Sequence, residues 1–227
     1  MGSLRLYNKD GDYITEMYSN AAVKFNQIVY LGGDMFMANI YLRVGSDPYV
    51  YYIDILNMRR KGNEMIPVEI LAGLDGGIYS NKGLAFDGRR LYKIVQISLL
   101  PPQRYFIVYD LDGKMMYNKG YGFVGYSCIC SDGKGLYGID NSTTPDSLIQ
   151  FNIDGQTVYK TNSTSITGGA GTYRDSFFDG KHIWLRDSNN IHVCRPDGTI
   201  VKSMFIRNVT AGNTALCSDG KDLIFGF

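Results

Sequence analysis

The sequence predicts an all-β protein made of five similar four-stranded units, and three observations carry that prediction. A short phrase recurs along the chain. A second phrase falls between the copies of the first. The chain also ends on half of a unit and begins on the other half. The first phrase reads LGGDMFMAN from Leu31, FDGRRLYKI from Phe86, CSDGKGLYGID from Cys130, FDGKHIWLR from Phe178 and CSDGKDLIFGF from Cys217. Aligned on Gly32, Asp87, Asp132, Asp179 and Asp219, successive copies are 55, 45, 47 and 40 residues apart. Such a period belongs to repeat architectures. The second phrase reads LYNKDGDYI from Leu6, VYDLDGKMMY from Val108, FNIDGQTVY from Phe151 and VCRPDGTIV from Val193.

Asp-Gly between short apolar runs signals a β-hairpin, because glycine takes positive φ cheaply and aspartate tolerates it. Each period therefore holds two hairpins, or four strands, A to D. In the first unit (approximately 26–65) a Gly-Gly pair replaces the first Asp-Gly. Its second slot, YYIDILNMRRKGNEMI, has no Asp-Gly. Asn57–Glu64 within that slot is the best helical candidate of the chain, short and interrupted by Gly62. The second unit (79–119) places Leu84 and Phe86 before one turn and Leu91, Tyr92 and Ile94 after it. Phe106, Val108 and Tyr109 then precede the next turn, and Met115, Met116 and Tyr117 follow. The third (126–161) and fourth (173–205) repeat this order. After Asn213 only A and B remain. The missing C and D lie at the other end: Leu4–Tyr7, a turn at Asp10-Gly11, and Tyr13–Tyr18.

Four antiparallel strands per period, with complementary halves at the two ends, predict a five-bladed β-propeller. The fifth blade is 213–227 plus 4–18, and residues 1–227 form one domain. N-terminal strands completing the C-terminal blade hold the ring shut and remove two open edges. An open sheet or β-sandwich would require neither the period nor the split unit. The strands before the A–B turns are apolar on both faces, for example Val29-Tyr30-Leu31 and Leu84-Ala85-Phe86, as strands covered on both sides are.

Formal net charge is +1, and the one basic run is Arg59-Arg60-Lys61, so no nucleic-acid partner is expected. There is no apolar run long enough to span a membrane. Met1-Gly2-Ser3 resembles an added N-terminal remnant. The location is therefore expected to be either cytoplasmic or secreted with a leader absent from this sequence. Cys130 and Cys217 share one repeat position in different blades, and Cys128 and Cys130 are two apart on one strand. Neither spacing suits a disulfide, and reduced core thiols are expected. Sequons start at Asn141, Asn162 and Asn208 and are read as chance. No cofactor or metal is expected. Asp10-Gly11-Asp12 and Asp110-Leu111-Asp112-Gly113 are fragments of a calcium loop without its remaining ligands. His182 and His192 fall on adjacent strands but alone make no metal site. Trp184 occupies the place of Tyr92 and Tyr137, which argues for packing.

Candidate ligand-binding residues follow from the repeat frame. Six residues before each turn aspartate stand Asn26, Asn81, Tyr126, Tyr173 and Asn213. One residue later stand Gln27, Lys82, Ser127, Arg174 and Thr214. These polar rings precede apolar strand interiors and so mark the mouth of the central channel. They can bind a ligand or simply satisfy loop backbone groups and channel waters. The glycine-rich D–A loops, such as EILAGLDGGIYSN and TNSTSITGGAGTY, bring Tyr79, Tyr121 and Phe123 beside them. Aromatic faces pack on the C–H face of a sugar while amides bond its hydroxyls. No catalytic residue is assigned. A glycosidase would need two carboxylates across one pocket, and among candidates near the mouth only Asp175 sits in an A strand.

The phrases FDGRRLY, SDGKGLY and FDGKHIW resemble the blades of the tachylectin-2-like lectins, over the whole chain as architecture. That resemblance implies a five-bladed ring with an acetylamino-sugar site in each repeat. Here the candidate site residues vary between blades more than the turns do, which fits one or two sites, or a single site at the mouth. The sequence reading is thus a monomeric, non-catalytic, lectin-like carbohydrate-binding propeller. A protein-interaction scaffold is the alternative, and a glycoside hydrolase using Asp175 a second alternative.

Overall fold

The structure, a computed structural model, describes residues 2–20, 23–43, 51–71, 80–99, 102–121, 126–140, 147–152, 156–160, 173–187, 190–206 and 215–226. These form twenty strands in five antiparallel four-stranded sheets. Strands β1 (Gly2–Tyr7) and β2 (Tyr13–Asn20) are the outer half of a blade whose inner half comes from the far end of the chain. Blade 1 is β3 (Val23–Gly32), β4 (Met35–Arg43), β5 (Tyr51–Lys61) and β6 (Glu64–Leu71). Blade 2 is β7 (Ser80–Phe86), β8 (Leu91–Leu99), β9 (Pro102–Tyr109) and β10 (Met115–Tyr121). Blade 3 is β11 (Tyr126–Ser131), β12 (Leu136–Asp140), β13 (Ser147–Phe151) and β14 (Thr157–Lys160). Blade 4 is β15 (Tyr173–Phe178), β16 (Ile183–Asp187), β17 (Asn190–Cys194) and β18 (Ile200–Phe205). Strands β19 (Ala215–Ser218) and β20 (Leu223–Gly226) complete blade 5, in the order β19-β20-β1-β2.

The closing register pairs Leu4 with Gly226, Arg5 with Phe225, Leu6 with Ile224 and Tyr7 with Leu223. The first strands of the blades adjoin around the axis in the order β3, β7, β11, β15, β19 and back to β3. The protein is thus a five-bladed β-propeller. Gly2 and Ser3 pair with Asn20 and Ser19, so the segment read as an added remnant is built into the blade. Asn57–Glu64 is not helical. Leu56 and Met58 are buried while Arg59 is exposed, an alternation of period two, and Gly62 turns the hairpin at a φ of 61°.

The core lies between blades rather than within one. Five apolar clusters each draw on two neighbouring blades. Leu4 and Ile224 meet Phe25; Met37 meets Leu84 and Ile107; Tyr92 and Phe106 meet Ile129 and Phe151. Cys130 and Ile139 meet Ile183 and Leu185, and Trp184 and Ile191 meet Tyr7 and Phe225. Burying one such side chain contributes about 1.5–3 kcal/mol. The inner strands come so close that a Cβ on Gly83 would lie 2.6 Å from Ile129 Cγ1.

The A–B turns show why aspartate and an aromatic recur together. Asp87 Oδ1 accepts hydrogen bonds from Arg89 N (2.8 Å) and Arg90 N (2.7 Å), and Oδ2 accepts from Tyr92 Oη–H (2.6 Å). Asp132 does the same for Lys134 N, Gly135 N and Tyr137 Oη. Asp179 does so for Lys181 N, His182 N and Trp184 Nε1. Glycine follows each at positive φ. Burial pushes the Asp87 and Asp179 carboxyls up. Their hydrogen bonds outweigh it and hold both below the ordinary carboxylate value. Burial and the Asp132 charge push Tyr137 up to about 12.

Blade 5 breaks the pattern. Asp219 Oδ1 accepts from Lys221 N and Asp222 N, but apolar Ile224 stands where the aromatic should be. Arg60, from β5 of blade 1, replaces it. Its Nη1 donates to Asp219 Oδ2, and its Nη2 to Asp222 Oδ2 at 3.1 Å. The Arg60 side chain is 15% exposed. It ties the split blade to its neighbour across the junction that closes the ring.

Removing one partner of such a largely buried pair strands the other charges. Arg60→Ala should lower stability by about 3 kcal/mol in urea denaturation, with Arg60→Lys recovering part of it. Tyr92→Phe, which removes one bond to a carboxylate, should cost roughly 1.5–3 kcal/mol by the same measurement.

Candidate functional site

The predicted channel mouth coincides with a repeated irregularity of the backbone. In blade 1 the register slips between Phe25 and Gln27, which pair with Ile40 and Asn39. In blade 2 it slips between Asn81 and Gly83, in blade 3 between Tyr126 and Ile129, and in blade 4 between Tyr173 and Asp175. Each inner strand of blades 1–4 thus carries a β-bulge in its opening residues. The extra residue is Asn26 in blade 1, Lys82 in blade 2 and Arg174 in blade 4. A bulge leaves one residue out of the ladder and redirects its neighbours. That accounts for polar residues at this level of strands that are otherwise covered on both sides.

The structure brings the backbones of Asn26, Asn81, Lys82, Tyr126, Tyr173 and Arg174 to the starts of the converging inner strands, and Tyr121 to the end of β10. Tyr126 and Tyr173 are the first residues of adjoining strands β11 and β15. Asn213 and Tyr79 lie outside the described residues. Asn26 is buried and engaged with the rest of the protein. Beside it, buried Gln27 accepts a bond through Oε1 from Asn39 Nδ2 at 3.1 Å. At blade 1 the polar positions are thus tied into the protein.

Toward the A–B turns the channel holds an open cavity of about 100 Å³. All five inner strands line it, through Tyr30, Phe86, Cys130, Ser176, Phe177 and Cys217 among others. Two serines at its wall are engaged locally: Ser131 Oγ donates to Gly135 O and Ser218 Oγ to Asp222 O. The four cysteines are buried and free. Burial raises the Cys130 and Cys217 thiols, and takes that of Cys194 to about 12.

Asp175 does not line this cavity. It is 1% exposed. Its Oδ1 accepts from Ser176 N at 2.8 Å, and its Oδ2 from Leu216 N at 2.6 Å. The second bond stitches β15 to β19 across the blade 4–blade 5 boundary. Nearby, Arg186 is equally buried, with its guanidinium 5.9 Å from the centroid of the Phe225 ring. Burial raises the Asp175 carboxyl well above its ordinary value, against the pull of the two backbone donors and Arg186. The geometry makes this carboxyl an inter-blade acceptor without contact to solvent.

The histidines stand apart in register. His192 lies opposite Leu185, whereas His182 precedes the Ile183–Cys194 pair. His192 Nδ1 is 2.9 Å from Ser203 Oγ, and burial lowers its pKa. Asp110 Oδ1 accepts from Asp112 N and Lys114 N, which explains the apparent calcium fragment as a turn cap. Among the described residues no three His, Cys, Asp or Glu side chains gather as a metal site. Nor is any helix there long and apolar enough to cross a membrane. Sequence reasoning missed the bulges and Arg60. The signal for Arg60 was present in blade 5, where two turn carboxylates lack their aromatic partner.

No family model matches the chain, and no curated protein matches it in sequence. A chain of the nidogen/laminin complex aligns with a TM-score of 0.57 at 13% identity, over 93% of this chain and 96% of that one. A gluconolactonase of Xanthomonas campestris aligns at 0.46 and 14% identity, over 96% of this chain and 62% of that one. The Dos1 propeller aligns at 0.44 and 8% identity, over 99% of this chain and 62% of that one. At such identities the first likeness is one of fold alone.

A carboxyl with a raised pKa holds its proton more tightly in the folded state. Between its unfolded value, about 3.9, and its folded value, rising pH then costs stability. Relative to Asp175→Asn, which has no proton to lose, the wild type should become less stable as pH rises from about 4. Urea midpoints measured across that range check the sign.

Proposed function

We propose that the chain is a non-catalytic binding propeller that recognises carbohydrate on the face where its inner strands begin. The observation that carries this reading is the β-bulge shared by the inner strands of blades 1–4, since bulges redirect side chains beside sites. Tyr126 and Tyr173, opening neighbouring strands, supply aromatic faces for a sugar ring. Asn81, Asn213, Lys82 and Arg174 supply hydrogen bonds to its hydroxyls, and Tyr79 and Tyr121 extend the surface along the D–A connections. Asn26, already engaged in blade 1, positions the rim. The variation between blades favours one shared site at the mouth over the five equivalent sites of the tachylectin-2-like pattern, with the propeller acting as a monomer. The buried, doubly bonded Asp175 argues against the glycoside hydrolase reading.

A protein-binding scaffold is the second reading, and the outer strands favour it. Every blade exposes large apolar side chains there: Tyr13 and Ile14, Ile66 and Val68, Met115 and Met116, Val158 and Tyr159, and Val201 and Phe205. Where such side chains form a contiguous patch they mark an interaction face. The nidogen/laminin neighbour is a propeller-like chain found in a protein complex.

A glycan array with the wild type, Tyr126→Ala and Tyr173→Ala separates the readings. Binding that either substitution weakens at least about tenfold, as loss of a stacking aromatic does, places sugar at the mouth. A blank array from protein with a cooperative thermal transition removes the carbohydrate reading and leaves the scaffold.

A further inference from the structure

On the opposite face, blade 4 departs from its own repeat. Its A–B turn carries Lys181 and His182, and its C–D turn carries Arg195, Pro196 and Asp197. These five residues line one open recess of about 400 Å³. The pairing of Ile183 with Cys194 sets the two turns side by side. The volume lies within the range of small-molecule sites, about 300–1,000 Å³.

Arg195 stands where the C–D turns of blades 2, 3 and 5 keep an acceptor. Asn8 Oδ1 caps Asp10 N and Asp12 N, Asp110 Oδ1 caps Asp112 N and Lys114 N, and Asn152 Oδ1 caps Gln156 N. An arginine has no acceptor to offer. The blade 4 turn closes through Arg195 N–H to Thr199 O, with Asp197 Oδ1 accepting from Thr199 N. A local rule kept in blades 2, 3 and 5 and broken in blade 4, without an evident gain to the fold, is where function is expected.

The charges around the recess are unevenly matched. Asp179 is filled by Lys181 N, His182 N and Trp184 Nε1, with His182 Nδ1 3.7 Å from Oδ2. Asp197 senses the charge of Arg195 but forms no salt bridge with it. Among the described residues neither Lys181 Nζ nor the Arg195 guanidinium makes an ion pair or a side-chain hydrogen bond. Blade 5 differs: there Lys9 of the C–D turn donates across the same gap to Gly220 O of the A–B turn.

We propose that this recess binds a tetrahedral oxyanion, a sulfate or phosphate, between Arg195 and Lys181, with His182 as a further donor. The guanidinium fork takes two oxygens and the ammonium a third. The remaining volume admits a group carrying the anion as an ester.

The test is an ¹⁵N NMR titration at constant ionic strength with four probes: sodium phosphate, sodium sulfate, glucose 6-phosphate and glucose 6-sulfate. Saturable shifts are expected at the amides of Lys181, His182 and Thr199. Arg195→Asn, which restores the cap of the repeat, should weaken binding at least about tenfold while Tm holds or rises. Lys181→Ala should weaken it in the same direction. Tighter binding of an ester assigns the anion to an organic ligand, and equal binding assigns it to the free ion. Shifts that do not saturate, or that persist unchanged in both Arg195→Asn and Lys181→Ala, overturn the proposal.

Discussion

Everything in this molecule depends on the four residue pairs that join β20 to β1. A propeller core lies between blades, so each blade is stable only while both of its neighbours press against it. If the ring opened within blade 5, between β20 and β1, Leu4 and Phe25 would part from Ile224, with which they share a core cluster. Ladder hydrogen bonds from Leu4–Tyr7 to Leu223–Gly226 prevent this, and Arg60 fastens the same junction from blade 1. The two devices differ in kind. The ladder is backbone and tolerant of sequence; the guanidinium clamp requires one side chain and two carboxylates.

The turns show how one side chain can serve two levels of structure. Each A–B aspartate closes a hairpin with one oxygen and fixes an aromatic with the other. That aromatic then enters the interface between blades, as Tyr92 and Trp184 do. Hairpin geometry and blade packing are thereby coupled, which explains why Asp-Gly and the aromatic travel together. Where blade 5 lacks the aromatic, the free oxygen recruits Arg60. Where blade 1 lacks the aspartate, Gly32 and Gly33 turn the chain at positive φ.

The blade order, the split fifth blade and the turn positions were legible because they rest on local rules: period-two apolar runs, glycine at positive φ, and complementary half-phrases. The candidate site was legible only as a level in the strands. Asn26, Lys82 and Arg174 stood out as polar, yet nothing in their identity says that the ladder slips there, because a bulge is a property of two paired strands. Asp175 was misleading for a related reason. A lone carboxylate in an inner strand reads as chemistry until the neighbouring blade supplies Leu216 N. Arg60 lay hidden in a basic run weighed only for nucleic-acid binding, and the strand pattern of Leu56–Met58 competed with a weak helical reading.

The split blade also governs how the chain reaches its native form. Blades 1 to 4 can each pair their strands as their own segment leaves the ribosome. Blade 5 must wait, because Leu223–Gly226 is made more than two hundred residues after Leu4–Tyr7. Until then the β1–β2 hairpin has an unpaired edge, and Leu4 and Leu6 lack the cover of Ala215, Cys217 and Ile224. Contacts so distant in sequence form slowly, and uncovered strand edges are where nascent chains associate wrongly. Translation speed and chaperone capture therefore bear most heavily on the first strands of the propeller, not on the last.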